Sequence, residues 1–204
     1  MERPTRAAAG SPGGTEVRDG GPGRIGIAVF GSSEPSEADP LYVTAREVGR
    51  LLALSGFVVV NGGYGGVMEA ASRGAHDAGG ESLGITVRAL TERRAGPNRF
   101  LTRHRESEGL FERTRELIEE SAGYIILAGK SGTLAELTFL WALHRAQMLG
   151  NRPVVLLGDF WGRFLALLRE LDLVDEGQIS ITHVTTTAQD AVNTIRKSLM
   201  STAK

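Results

Sequence analysis

GYIILAGKSGTLAELTFLWALHR, residues 123–145, is the stretch on which the fold reading turns. It opens with an apolar run, Tyr124-Ile125-Ile126-Leu127, of the kind found in strands buried on both faces. A tight polar turn follows, Gly129-Lys130-Ser131-Gly132-Thr133. Beyond it Leu134, Leu137, Leu140, Trp141, His144 and Met148 recur at helical spacing. The unit is therefore strand, glycine-rich turn, helix. The free backbone N–H groups at such a helix start, backed by the helix dipole, suit an anion. Glu136 falls in the expected first turn of that helix, so a carboxylate stands beside the cradle.

The same unit recurs on either side. Ile25 to Phe30 reads as a strand ending in Gly31-Ser32-Ser33, and a helix with Leu41, Ala45, Val48 and Leu52 inward starts at Pro40. Phe57 to Val60 is a second strand, running into Asn61-Gly62-Gly63-Tyr64-Gly65-Gly66 and a helix from Val67. Ser82 to Val87 is a third. A helix over about 107–120 leads into the central unit. Pro153 to Leu157, a helix with Phe160, Phe164, Leu167, Leu168 and Leu171 inward, Ile179 to Thr185 as a strand and a closing helix from Ala188 complete the chain. Alternation of this kind predicts an α/β, doubly wound, Rossmann-like parallel sheet with helices on both faces. The turns at 31–33, 61–66 and 129–133 each follow a strand, so all three belong on the carboxyl edge, where such sheets bind ligands.

Two stretches stand apart. Residues 1–23 hold little to bury and read as a disordered tail, leaving 24–204 as one domain. Arg88 to His104 is long, polar and basic, with Arg88, Arg93, Arg94, Arg99, Arg103 and Arg105 close together. It reads as a loop that flaps over an anion.

Composition narrows the chemistry. A net charge of -1 offers no global field for nucleic acid or a membrane surface. There is no cysteine, which excludes thiolate catalysis and Cys-ligated metals and fits a cytoplasmic location. The four histidines show no metal-ligand spacing, no secretory signal is read at the N-terminus, and no apolar run reaches the roughly 18–20 residues of a membrane helix. Neither a metal nor a cofactor is expected. A Walker A loop fails because Tyr124 stands where its first glycine belongs, and G-x-G-x-x-G fails at Met68. Taken alone, Glu136 would read as a solvated acid favouring the dipole, and Arg113 as a surface arginine among Glu112, Arg115 and Glu116. The 61–66 turn holds more glycine than a turn needs, which favours close backbone approach to a ligand.

Three motifs in order change that reading. Gly31-Ser32-Ser33, then Gly62-Gly63-Tyr64-Gly65-Gly66-Val67-Met68, then Gly129 to Glu136 are similar to the three signatures of the LOG family, once thought to be lysine decarboxylases. The resemblance runs from Arg24 to about Leu171. It implies a phosphoribohydrolase that cleaves the N-glycosidic bond of cytokinin riboside 5′-monophosphates, and often AMP, in homodimers or larger assemblies. It implies Glu136 and Arg113 as the catalytic pair, and Glu136, at a helix start, is expected to remain ionised. It further implies that Gly129, Lys130, Ser131, Gly132 and Thr133 hold the phosphate, and that Gly31, Ser32, Ser33, Gly62, Gly63, Gly65, Gly66 and Met68 meet the nucleotide. The partner is then a small nucleoside monophosphate, with neither nucleic acid nor membrane involved.

The chain departs from the family pattern at Ala128, where the signature has proline, at Lys130, where it has glycine, and at Thr114, where a lysine is usual. Lys130 either adds an ammonium to the cradle or fills the pocket, and its Cβ is tolerable only at negative φ. A carrier of a nucleotide or of a molybdenum-cofactor-like group, built on the same fold, is the alternative. The helix read over 134–148 carries more apolar side chains than one sheet can cover, and the surplus suggests a homodimer.

Overall fold

The computed structural model describes residues 24–88 and 96–202. The expected tail, and Arg93 and Arg94 of the expected flap, lie outside the described residues. Among them, seven strands form one parallel sheet: β1 (Gly26–Phe30), β2 (Val58–Asn61), β3 (Ser82–Val87), β4 (Arg103–Ser107), β5 (Gly123–Ile126), β6 (Val154–Leu157) and β7 (Thr182–Thr185). Their order is β4-β3-β2-β1-β5-β6-β7. The chain winds outward from β1 to β4, then returns to lay β5 on the other side of β1. The switch point is therefore the gap between β1 and β5, where Ile27 pairs with Gly123 and Phe30 with Ile126.

Helices cover both faces. On one lie α1 (Pro40–Leu54), α2 (Val67–Asp77) and the C-terminal α7 (Ala188–Thr202). Tyr42, Ala45, Val48 and Leu52 of α1 pack there with Val67, Ala71 and Val192 over Ile27, Val29 and Val59. On the other lie α3 (Leu110–Glu119), α4 (Ser131–Arg145) and α5 (Phe160–Glu170), with Leu117, Leu137, Leu140, Trp141 and Trp161 over Ala28, Val60, Tyr124 and Ile126. Side chains alternate between the faces along each strand, so β1, β5 and β6 are apolar throughout and β2 is apolar up to the buried Asn61 at its end. The short α6 (Glu176–Ser180) carries a capping box from Asp175 and Gln178.

Four expectations are corrected. The stretch read as a loop to His104 ends in a strand. β4, RHRES, is the sheet's edge and pairs only with β3, so solvent reaches Arg103 to Glu106 and charged side chains line it. Arg105 meets Glu116 and Glu120, and Arg88 meets Glu106, so these arginines are held in ion pairs on the edge. The strand expected from Ile179 starts at Thr182, behind α6. In α5 the buried residues are Trp161 and Leu165; Phe164 and Leu168 pack partly on the core as expected, while Phe160, Leu167 and Leu171 are exposed. The α4 surplus is also smaller than expected. Leu134 and Leu143 pack on the chain's own core, leaving Phe139 and Met148 exposed.

Candidate functional site

The carboxyl ends of β1, β2 and β5 enclose a cleft of about 280 Å³ at the switch point. The β1 turn contributes Phe30, Gly31, Ser32, Ser33 and Glu34. The β2 turn and the start of α2 contribute Gly62 and Met68. Arg113 enters from α3, and Lys130, Ser131, Gly132, Thr133 and Glu136 come from the β5 turn and α4. Backbone bonds hold the turns together. Ser32 N–H donates to the Ala128 carbonyl at 2.9 Å, and Val67 N–H donates to the Ser32 carbonyl at 2.9 Å.

Helix α4 starts at Ser131, with Lys130 as an N-cap whose side chain makes no capping bond. Leu134 N–H is bonded to the Lys130 carbonyl at 3.0 Å. The amides of Ser131, Gly132 and Thr133 precede that bond and belong to the unpaired first turn of the helix. The Thr133 side chain is buried against the turn, and a Cβ on Gly129 would overlap its hydroxyl. Gly129 thus makes room for Thr133 rather than facing the cleft itself.

Because α4 begins three residues before the expected Leu134, Glu136 lies in its second turn, beyond the strongest part of the dipole. That changes its chemistry. The expectation of a plainly ionised carboxylate is corrected: burial raises the Glu136 pKa to about 7, against an opposing pull from the charge of Arg113. The residue is half-buried and opens on the cleft. Its carboxyl is therefore poised to exchange a proton near neutral pH.

Arg113, which alone reads as a surface residue, is 9% exposed. Its Nε donates to the Ile85 carbonyl at 2.7 Å, and its guanidinium lies 5.8 Å from the centre of the Tyr64 ring. The Tyr64 hydroxyl accepts from Val87 N–H at 2.9 Å and donates to the Val87 carbonyl at 3.1 Å, which fixes the ring. A Cβ on Gly62 would overlap Arg113 Nη2, so glycine is required there by the arginine's approach.

Gly63, Gly65 and Gly66 do not line the cleft. Gly63 accepts from Asn98 N–H at 2.8 Å, and Gly65 faces an adjoining hollow of about 650 Å³ that shares Ser33 with the cleft. Sequence reasoning missed two supporting residues and two lining residues, Phe30 and Glu34. Buried Asn61 accepts from Gly63 N–H at 2.8 Å and donates to the Met68 carbonyl and Ser72 Oγ, which stiffens the turn. An Asn before two glycines is a turn signal that could have shown this. Tyr64 positions Arg113 and had no such signal. Nor had Glu34, whose carboxylate meets Lys130 Nζ at 2.6 Å. Lys130 has φ −95°, which a Cβ tolerates, and its side chain is exposed at the cleft mouth.

Comparison with known proteins places this geometry. A relative from Mycobacterium marinum, a cytokinin riboside 5′-monophosphate phosphoribohydrolase, is 31% identical over 163 residues, covering 79% of this chain and 85% of its own. The X-ray structure of TM1055 superposes with a TM-score of 0.68 at 28% identity, covering 85% of this chain and 99% of that one. The molybdenum cofactor carrier protein of Chlamydomonas reinhardtii gives 0.66 at 23% identity, covering 87% and 99%, a likeness of fold. The model of the SLOG cluster4 family matches residues 24–185, the span that carries the whole sheet and every residue of the cleft, and the chain belongs to that family.

Proposed function

We propose that this cleft hydrolyses the N-glycosidic bond of a purine riboside 5′-monophosphate, AMP or a cytokinin nucleotide, releasing free base and ribose 5-phosphate. The observation that carries the reading is one carboxyl, Glu136, in a single cleft with a buried guanidinium and three first-turn amides. The mycobacterial relative bears the name of that activity.

In this reading the phosphate rests on the amides of Ser131, Gly132 and Thr133. Arg113, fixed by Ile85 and Tyr64, orients the ribosyl group. Cleavage breaks C1′–N9, and positive charge develops on the ribose ring. Ionised Glu136 faces that charge and takes a proton from the attacking water, whose oxygen bonds to C1′. The departing base takes up a proton from solvent at a ring nitrogen while Glu136 gives up the one it took, so that one water is split across C1′–N9. A general base works best with a pKa near the working pH, which suits a carboxyl at about 7 better than one at its ordinary value of 4.5. Replacing Glu136 with Gln removes both roles and lowers turnover by about 10²–10³, the cost typical of losing one preorganised charge.

The test is incubation with AMP and with isopentenyladenosine 5′-monophosphate, following free base by chromatography. Release that is lost in Glu136→Gln supports the reading. Binding without release favours the carrier alternative, which otherwise rests on fold likeness alone. The exposed Phe139 and Met148 lead us to propose a homodimer in which a second copy covers α4.

A further inference from the structure

We propose that the Lys130–Glu34 ion pair is an exchangeable latch across the cleft mouth, and that a phosphate dianion displaces Glu34 from Lys130 as it binds. The pair would then determine preference for phosphorylated over unphosphorylated ligands. This inference rests on the nucleotide reading of the same cleft but concerns residues that reading does not require.

The pair joins the two turns that flank the switch point. Lys130 Nζ lies 2.6 Å from Glu34 Oε1, across 96 positions of sequence, and both residues line the cleft. Their side chains are 76% and 62% exposed, so the contact is solvated and contributes little to stability. It can be given up without unfolding anything. Glu34 is held near its place from below, since its N–H donates to Ser32 Oγ at 3.2 Å. Lys130 is the residue immediately before the free amides of Ser131 to Thr133, and its backbone is unstrained.

The charges explain why the pair would open. Of the two cations among the described residues that line the cleft, Arg113 is buried with its Nε given to the Ile85 carbonyl, while Lys130 is exposed at the rim. Glu34 is an anion tethered beside the cradle and has the same sign as the ligand. In the ligand-free protein it neutralises Lys130. A phosphate with two negative charges offers the ammonium a stronger partner than one carboxylate. Glu34 therefore acts as an internal competitor, and removing it should strengthen phosphate binding, whereas removing Lys130 should weaken it. A neutral nucleoside has nothing to exchange and should be indifferent to both changes.

The experiment is calorimetric titration with ribose 5-phosphate, which carries no glycosidic base to release, and with adenosine as the uncharged control. Glu34→Gln is expected to lower the Kd for ribose 5-phosphate by about two- to fivefold, the range of an exposed ion pair. Lys130→Ala is expected to raise it by about five- to tenfold, and both effects fade with added salt. Adenosine affinity should stay the same in both variants. The proposal is overturned if ribose 5-phosphate binding is insensitive to both substitutions, if it fails to bind at all, or if adenosine shifts equally. The outcomes separate the two claims. Charge-dependent binding of ribose 5-phosphate with no base release from AMP upholds the latch and sinks the hydrolase. Base release with binding blind to residues 34 and 130 does the reverse.

Discussion

Replacing Glu136 with Gln should stabilise the protein, and by an amount that grows with pH. Burial raises the carboxyl's pKa in the folded state to about 7 from an ordinary 4.5. A group raised in this way binds its proton more tightly when folded. Its contribution to stability is fully present below the unfolded value and is lost as pH rises through the folded one. The window is therefore pH 4.5 to about 7, and above it the native state holds an ionised carboxylate where burial disfavours the charge. At 1.36 kcal/mol per pKa unit, the whole shift corresponds to about 3 kcal/mol, of which roughly 2.5 falls between pH 5 and pH 8. Gln fills similar space and does not titrate. The melting temperatures of the two proteins should therefore diverge by about 5–10 °C between those pH values, the variant being the more stable at pH 8. Thermal melts in a pH series measure this directly, because any constant cost of the amide cancels in the slope. Parallel curves for the two proteins would refute the argument, since they would mean that folding leaves the Glu136 proton affinity unchanged. For the catalytic role proposed for Glu136, a cost to stability in the working form is an expected trade.

Three further outcomes follow from the same geometry. The pH profile of kcat/KM for AMP should rise with pH through an apparent pKa of about 7, because Glu136 must be ionised to accept a proton; a limb near 4.5 would show that burial does not govern it. Gly62→Ala should displace Arg113 from beneath the turn, costing about 1–3 kcal/mol by overpacking and most of the turnover, read by thermal melt and base release together. Gel filtration at micromolar concentration should give a dimer, and Phe139→Lys should convert it to a monomer, while a monomeric native protein would remove the dimer proposal.

The sheet was legible where strands are buried on both faces. Ala28-Val29-Phe30, Val58-Val59-Val60 and Ile125-Ile126 admit few other readings, and the turns after them fix the carboxyl edge. β4 was not legible, because an edge strand needs only one neighbour, and RHRES satisfies its charges through Arg88, Glu116 and Glu120, which lie outside it. Helix α5 was placed correctly and Phe164 and Leu168 do face the core, but the most buried positions, Trp161 and Leu165, were not read as inward. Its aromatic and leucine positions are dense enough that periodicity alone does not choose Trp161 and Leu165. At the cleft, the motifs named most of the residues that line it, and their environment was not readable. The true start of α4 at Ser131 moved Glu136 out of the first turn, and the burial of Arg113 depends on Ile85 and Tyr64 arriving from β3 and the β2 turn. Such contacts between distant segments have no local pattern in the chain.

The central claim is that peptide nitrogens at the start of α4 hold a phosphate next to Glu136. A crystal structure with ribose 5-phosphate bound tests it most directly. The account predicts phosphate oxygens within hydrogen-bonding distance of the Ser131, Gly132 and Thr133 amides, with C1′ turned toward Glu136. Ligand found elsewhere, or a cradle filled by the Lys130 side chain, would contradict it.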